Sequence, residues 1–267
     1  MFILQAPGVT GFEGFVVKLD ATGNMVWAKQ LGGPSTDSVN DLIVDSNNDV
    51  YLAGTFRTTG DFDPGPGNVY LPSSGSDDVF LVKLTSDGNY VWAKSVGGTG
   101  ADMLNGITRD GHTGLILTGF FTGQVDFDPD SAGVTTASTF GTYDTYVLKL
   151  DTTGDFQWVK QFGGSNFVNA KALKTDSLNS IYITGSFSGT ADFNPDNGII
   201  NNLVSSGGDE IFIAKLNSSG AYQWAYSMGS SGFDIGLDVQ VSPNGTFYMS
   251  GNFLIPSTLN RAQEPLH

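Results

Sequence analysis

The chain alternates short apolar runs with clusters of turn residues. Val79–Leu84 is apolar at nearly every position and is followed by Thr85-Ser86-Asp87-Gly88. Asn89–Val96 is a second run, closed by Gly97-Gly98; Leu104–Thr108 is a third, and a turn at Asp110-Gly111 leads to the fourth, Leu115–Phe121. Runs of this length bounded by Gly, Asp, Asn and Ser are strand signals, and their tight links are hairpin signals. Phe80, Val82 and Leu84 take one face and Leu81 the other, so both faces are apolar. A strand of that kind needs cover on both sides. No convincing amphipathic helix interrupts the pattern.

The pattern repeats. Trp27, Trp92, Trp158 and Trp224 are spaced by 65, 66 and 66 residues, and Lys18, Lys83, Lys149 and Lys215 keep step. So do Gly54, Gly119, Gly185 and Gly251, each two residues before Phe56, Phe121, Phe187 or Phe253. Asp-Phe-Asp-Pro begins at Asp61 and Asp126 and returns as Asp-Phe-Asn-Pro at Asp192. Four markers in register define four tandem repeats of about 65 residues, and such periods mark solenoids, propellers or arrays. Repeated four-stranded sheets with two apolar faces predict an all-β fold, a β-propeller in which each blade packs on the next. A β-solenoid, with shorter and more uniform coils, fits less well. The expected domain is a whole or partial propeller over 1–254, followed by a non-repeat tail, 255–267. The first hairpin is of the Lys/Trp type and the last of the Gly-x-Phe type. They would complete one blade in a closed small ring of four; the alternative is an arc of a larger propeller.

The strings Val82-Lys83-Leu84, Gly88-Asn89-Tyr90-Val91-Trp92-Ala93-Lys94, Gly97-Gly98, Gly119-Phe120-Phe121 and Asp126-Phe127-Asp128-Pro129 together resemble the SBBP-type β-propeller repeat. The likeness covers roughly residues 9–253. It implies a propeller of up to seven blades in large bacterial secreted or surface-attached proteins, with adhesion or display as the role and no catalytic residues to carry over. Repeat four departs from it: Tyr226 stands where the others have Lys29, Lys94 and Lys160, and the aspartate motif is missing. Four copies also fall short of seven.

Composition narrows the partners. Acids exceed bases by 27 to 12, a net charge of −15, which disfavours nucleic acid and anionic membranes. No window is long and apolar enough for a membrane helix, and no signal peptide is visible. Cysteine is absent, which removes disulfides, thiol nucleophiles and zinc–thiolate sites. Glutamate occurs only at Glu13, Glu210 and Glu264; the other acids are aspartates, the residue of turns, caps and hard-metal loops.

The first candidate for chemistry is therefore the aspartate loop. Asp61 and Asp63, then Asp126, Asp128 and Asp130, then Asp192, Asn194 and Asp196 alternate along the chain. Alternating oxygens can point together at one Ca²⁺, which takes about 6–8 of them. The same side chains can instead cap their own turn through backbone N–H groups, with Phe62, Phe127 and Phe193 as anchors. The two readings are compatible. Lys18, Lys83, Lys149 and Lys215 lie in apolar strands and call for aspartate partners. Asp37, Asp102 and Asp234 stand before the innermost strands, with Val168 breaking the set; they read as strand-entry turns or as an acidic rim. Glycine precedes each tryptophan by four residues, a hairpin similar to that of quinone-dehydrogenase propellers, and the likeness implies a Trp ring docked on a neighbouring backbone. The histidines, His112 and His267, have no recurring partner for a triad.

Nearly every polar feature is repeated, and repetition favours scaffold over active site. The expectation is a non-enzymatic extracellular propeller that serves as a scaffold or adhesion module, with Ca²⁺ as a structural ion. Its partner would be a protein or polysaccharide at the cell surface, or further propeller repeats of the same polypeptide. The alternative is a lectin or carbohydrate-active enzyme with a site at the channel mouth, which would need one blade to depart from the rest.

Overall fold

The computed structural model describes residues 11–111, 114–130, 133–196, 198–242 and 244–254. The predicted tail, 255–267, and His112 lie outside them. Every regular element among the described residues is a strand. In chain order they are β1 (Gly14–Leu19), β2 (Met25–Leu31), β3 (Ser38–Val44), β4 (Val50–Phe56), β5 (Thr59–Asp61), β6 (Tyr70–Pro72), β7 (Asp78–Leu84) and β8 (Tyr90–Gly98). β9 (Met103–Asp110), β10 (Gly114–Phe121), β11 (Gln124–Asp126), β12 (Thr136–Ser138), β13 (Asp144–Asp151) and β14 (Phe156–Gly164) follow. The last are β15 (Val168–Thr175), β16 (Ile181–Phe187), β17 (Thr190–Asp192), β18 (Asn202–Val204), β19 (Glu210–Leu216), β20 (Tyr222–Met228), β21 (Ile235–Val241) and β22 (Phe247–Asn252).

The chain packs as two compact units. The first holds the residues up to Leu104 with 124–136 and 153–156. In it β3, β4, β7 and β8 form one antiparallel blade in that order, and β1–β2 form a separate hairpin. The second holds 105–123, 137–152 and the chain from 157 onward. It contains a blade ordered β9-β10-β13-β14, a blade ordered β15-β16-β19-β20, and the separate hairpin β21–β22. Three blades thus have four strands, and the first and last hairpins remain two-stranded sheets. The all-β propeller-type blade is as expected. No sheet is closed.

Each blade joins a Gly-x-Phe hairpin to the Lys/Trp hairpin that follows it, the phase in which the last and first hairpins would share a blade. A blade begins at the strand after Gly97-Gly98, not at the lysine strand, because β4 pairs with β7 across the long loop that carries the aspartate motif. Hairpin signals are local, whereas this pairing is set by the apolar faces. β4 and β16 are buried along their whole length, and β7 and β19 at all but the lysine. The core of the second unit gathers Phe162, Phe187, Phe193 and Phe212 with Val168, Ile181 and Leu216. The first unit builds an equivalent core from Phe56, Phe62, Phe80, Leu52 and Leu84.

Each aspartate loop also sends a short hairpin to the preceding sheet. β5 and β6 pair with each other, and Asp61 bridges to Gly32 just past β2, by hydrogen bonds of 2.8 and 3.1 Å. β11 pairs with the end of β8, Val125 opposite Gly98. β17 pairs with the end of β14, Asp192 opposite Gly163.

Candidate functional site

The aspartate loops sit on these hairpins, and hydrogen bonding fixes their shape. Asp61 Oδ1 accepts from the N–H of Asp63 (3.1 Å) and of Val69 (2.9 Å). Asp126 Oδ1 accepts from Asp128 (3.1 Å) and Thr135 (2.8 Å), and Asp192 Oδ1 from Asn194 (2.9 Å) and Asn201 (2.8 Å). The next oxygen repeats the motif one step on: Asp63 caps Gly65, Asp128 caps Asp130, and Asn194 caps Asp196. The last acid of the loop then meets a lysine from the outer strand, Asp130 with Lys94 and Asp196 with Lys160 at 3.2 Å. An ammonium thus stands at the end of each complete loop. The phenylalanines between the aspartates are buried. Phe62 lies 4.7 Å from Phe80, and Phe193 lies 4.8 Å from Phe212, centroid to centroid. Turn capping with aromatic anchors is therefore realised at all three loops. Among the described residues no three His, Cys, Asp or Glu side chains gather as a metal-holding group.

The strand lysines find partners. Lys83 reaches Asp49 at 3.2 Å, Lys215 reaches Asp176 at 3.6 Å, and Lys149 pairs with the buried Asp110. Lys18 differs: its Nζ donates to the carbonyl of Ser86 at 2.7 Å. Register aligns lysine with tryptophan across each outer hairpin, Lys18 opposite Trp27, Lys83 opposite Trp92 and Lys215 opposite Trp224. Three tryptophans dock on a turn glycine of the next repeat. Trp27 lies against Gly88, Trp92 against Gly154, and Trp158 against Gly220.

Asp37, Asp102 and Asp234 are buried caps, not an exposed rim. Each accepts from the N–H four residues earlier, Gly33, Gly98 and Ser230, at 2.6–2.7 Å. A second set of buried acids went unread in the sequence. Asp78, Asp144 and Glu210 are spaced by 66 residues and accept in the same way from Ser74, Phe140 and Ser206. Their spacing, continued back to Glu13, was the available signal. Burial pushes Asp37, Asp78 and Asp144 above the usual carboxylate range, against the pull of these N–H donors. The Oδ1 atoms of Asp78 and Asp144 are buried without a hydrogen-bond partner.

One strand departs from the others. β15 carries Val168 in the column of Asp37, Asp102 and Asp234, and Lys171 in the column of Asn40, Asn105 and Leu237. That column projects from a β-bulge: the register skips Asn40 in β3, Lys171 in β15 and Leu237 in β21. Bulges re-aim a side chain off the ladder.

Repeated antiparallel blades whose recurring acids and lysines hold turns and neighbouring strands define a repeat scaffold of the propeller class. Residues 26–63 match the family model SBBP, the beta-propeller repeat, so the chain carries that repeat. It is also similar to an uncharacterized WD repeat-containing protein of Acanthamoeba polyphaga mimivirus, 27% identical over 86% of this chain and 19% of that protein. A second relative is the regulatory protein FlaEY of Caulobacter vibrioides, 26% identical over 68% of this chain and 18% of that protein. The chain spans about a fifth of the length of these curated relatives.

Proposed function

We propose that the chain is a non-enzymatic interaction scaffold, displayed outside the cell, that presents propeller blades to a protein or polysaccharide at a surface. It would work as a four-blade assembly, either a small ring or an arc continued by further repeats. The observation that carries this reading is the use of the recurring polar groups. The repeated acids cap turns and strand entries, and most strand lysines neutralise aspartates, which leaves no repeated group among the described residues arranged for acid–base or nucleophilic work. Calcium belongs to the same reading as an addition to the turns. The aspartate loops have committed Oδ1 to backbone donors, and an ion there would draw on Asp61, Asp63, Asp126, Asp128, Asp130, Asp192, Asn194 and Asp196 together with backbone oxygens.

Two experiments test this. The purified chain is passed over immobilised neutral and acidic polysaccharides and extracellular proteins, and incubated with the same glycans while products are followed. Binding without turnover is expected; turnover abolished by a single substitution would overturn the scaffold reading. Calorimetry with Ca²⁺, and melting in EDTA, address the ion. About three sites with a raised Tm are expected, and no heat and no shift would remove calcium from the account.

A further inference from the structure

The bulge residue of β15 stands in a polar and aromatic cluster that no other repeat contains. Lys171 is half-buried, and no carboxylate lies within ion-pair distance of it among the described residues. In a chain with 27 acids for 12 bases this is unusual, because most of the strand lysines have found an aspartate. The Lys171 Nζ lies instead 3.0 Å from the side-chain amide of the buried Asn169. The Asn105 amide, projected from the bulge column of β9, lies 2.9 Å from the Asn169 side chain and donates to the Ala170 carbonyl at 2.6 Å. The Tyr143 hydroxyl also bonds to Asn169. Tyr143 stacks on Phe167 with ring centroids 5.1 Å apart and planes at 26°, and Phe120 packs on its other side at 4.8 Å. All three rings are half-exposed. The corresponding positions are Asp77, Ala101 and Thr55 in the copy before and Asp209, Phe233 and Ser186 in the copy after, so Phe167 recurs but the Tyr143 stack and the cation do not.

We propose that Lys171, Asn105, Tyr143 and Phe167 form a binding site for the carboxylate of an acidic saccharide, a uronic acid. The inference rests on the reading of the chain as an interaction module and names what that module takes. A desolvated ammonium without a counter-ion gains most from an anionic acceptor. Burial holds Lys171 below the ordinary lysine range, with no acid to restore it. One lysine in a chain of net charge −15 suits a singly charged carboxylate better than a doubly charged phosphate. Asn105 and the Tyr143 hydroxyl offer hydrogen bonds to sugar hydroxyls, and the Tyr143–Phe167 pair offers an apolar surface for the C–H face of a pyranose.

The probe is trigalacturonate, with cellotriose as its neutral counterpart, titrated by calorimetry into the intact chain. Wild type should bind trigalacturonate and not cellotriose. Lys171→Met should weaken binding at least tenfold while melting no lower than wild type, since it removes a poorly solvated charge. Phe167→Ala should weaken binding as well, and Lys174→Met, three residues along the same strand, should leave it unchanged. Absence of binding at millimolar trigalacturonate, equal binding of cellotriose, or undiminished affinity in Lys171→Met would overturn the site. If trigalacturonate fails while the chain still holds another surface ligand without turnover, the site is wrong and the scaffold reading stands.

Discussion

Replacing Gly88 with alanine should destabilise the protein well beyond the same change at Gly23, and the difference measures the tryptophan lock. Both glycines close equivalent turns with φ in the left-handed region, +75° and +86°. An alanine there costs about 1–2 kcal/mol from backbone sterics alone. A Cβ on Gly23 meets nothing within 4 Å, so that cost is the whole effect. A Cβ on Gly88 stands 3.0 Å from Cδ2 and Cε2 of Trp27 and 3.0 Å from Cε of Lys29. The lysine end can swing away. The indole cannot, because its Nε1 donates to the carbonyl of Ser86, in the turn that holds Gly88, at 3.2 Å. Overpacking of this kind adds about 1–3 kcal/mol. At roughly 2–4 °C per kcal/mol for a chain near this size, Gly88→Ala should melt roughly 2–12 °C below Gly23→Ala. Circular dichroism and tryptophan fluorescence give both midpoints. In a Trp27→Leu background the gap between the two variants should close. Equal losses from the two alanines in the wild-type background would refute the docking argument, since they would leave only the shared φ penalty.

The buried carboxyl groups make a pH-dependent prediction. Burial raises the folded-state pKa of Asp144 above its unfolded value, so its contribution is fully present below the unfolded pKa and is lost as pH rises through the folded one. The Tm of Asp144→Asn minus that of wild type should therefore become more positive from pH 4 to pH 7, and a flat or falling difference counts against a protonated, desolvated acid. Lys149 and Arg57 separate buried from exposed ion pairs. Lys149→Met leaves Asp110, 3% exposed, without its ammonium and should cost about 3 kcal/mol or more. Arg57→Met breaks a pair whose arginine side chain is 50% exposed and should cost far less than Lys149→Met. Denaturant titrations of the two variants decide, and similar losses would contradict the contrast.

The blades were legible because their signals are periodic. Strand positions, doubly apolar faces, lysine–aspartate pairing and the glycine seats of Trp27, Trp92 and Trp158 all follow from residues that recur every 65 or 66 positions, so each copy corroborates the others. The blade phase was legible in the order of the hairpins, since pairing a Gly-x-Phe hairpin with the Lys/Trp hairpin that follows it is what β4 and β7 do across the aspartate loop. The hand-over of the aspartate hairpins, β5 to Gly32 and β17 to β14, was hidden, because no local signal marks pairing with a preceding sheet. The acids Asp78, Asp144 and Glu210 escaped notice because the type alternates between Asp and Glu. What is kept at that position is a carboxylate that can reach back four residues, and that requirement is geometric, not a fixed letter.

A repeat protein constrains its own sequence through shared geometry, so a departure confined to one copy carries more information than any repeated feature. β15 collects two such departures within four residues. At Val168 the blade gives up a capping carboxylate that its neighbours keep, and Asp144 there takes a side-chain donor, Gln161 Nε2 at 2.6 Å, in addition to its backbone one. At Lys171 it places an ammonium where the other described copies have an amide or a leucine. Val168 joins the apolar core, but Lys171 has no such gain: a half-buried lysine without an acid is less stable than the asparagine of β3 or β9. A feature that costs stability in a fold otherwise stabilised by paired charges calls for a return elsewhere, and on this strand the return available is an anion brought from outside the chain.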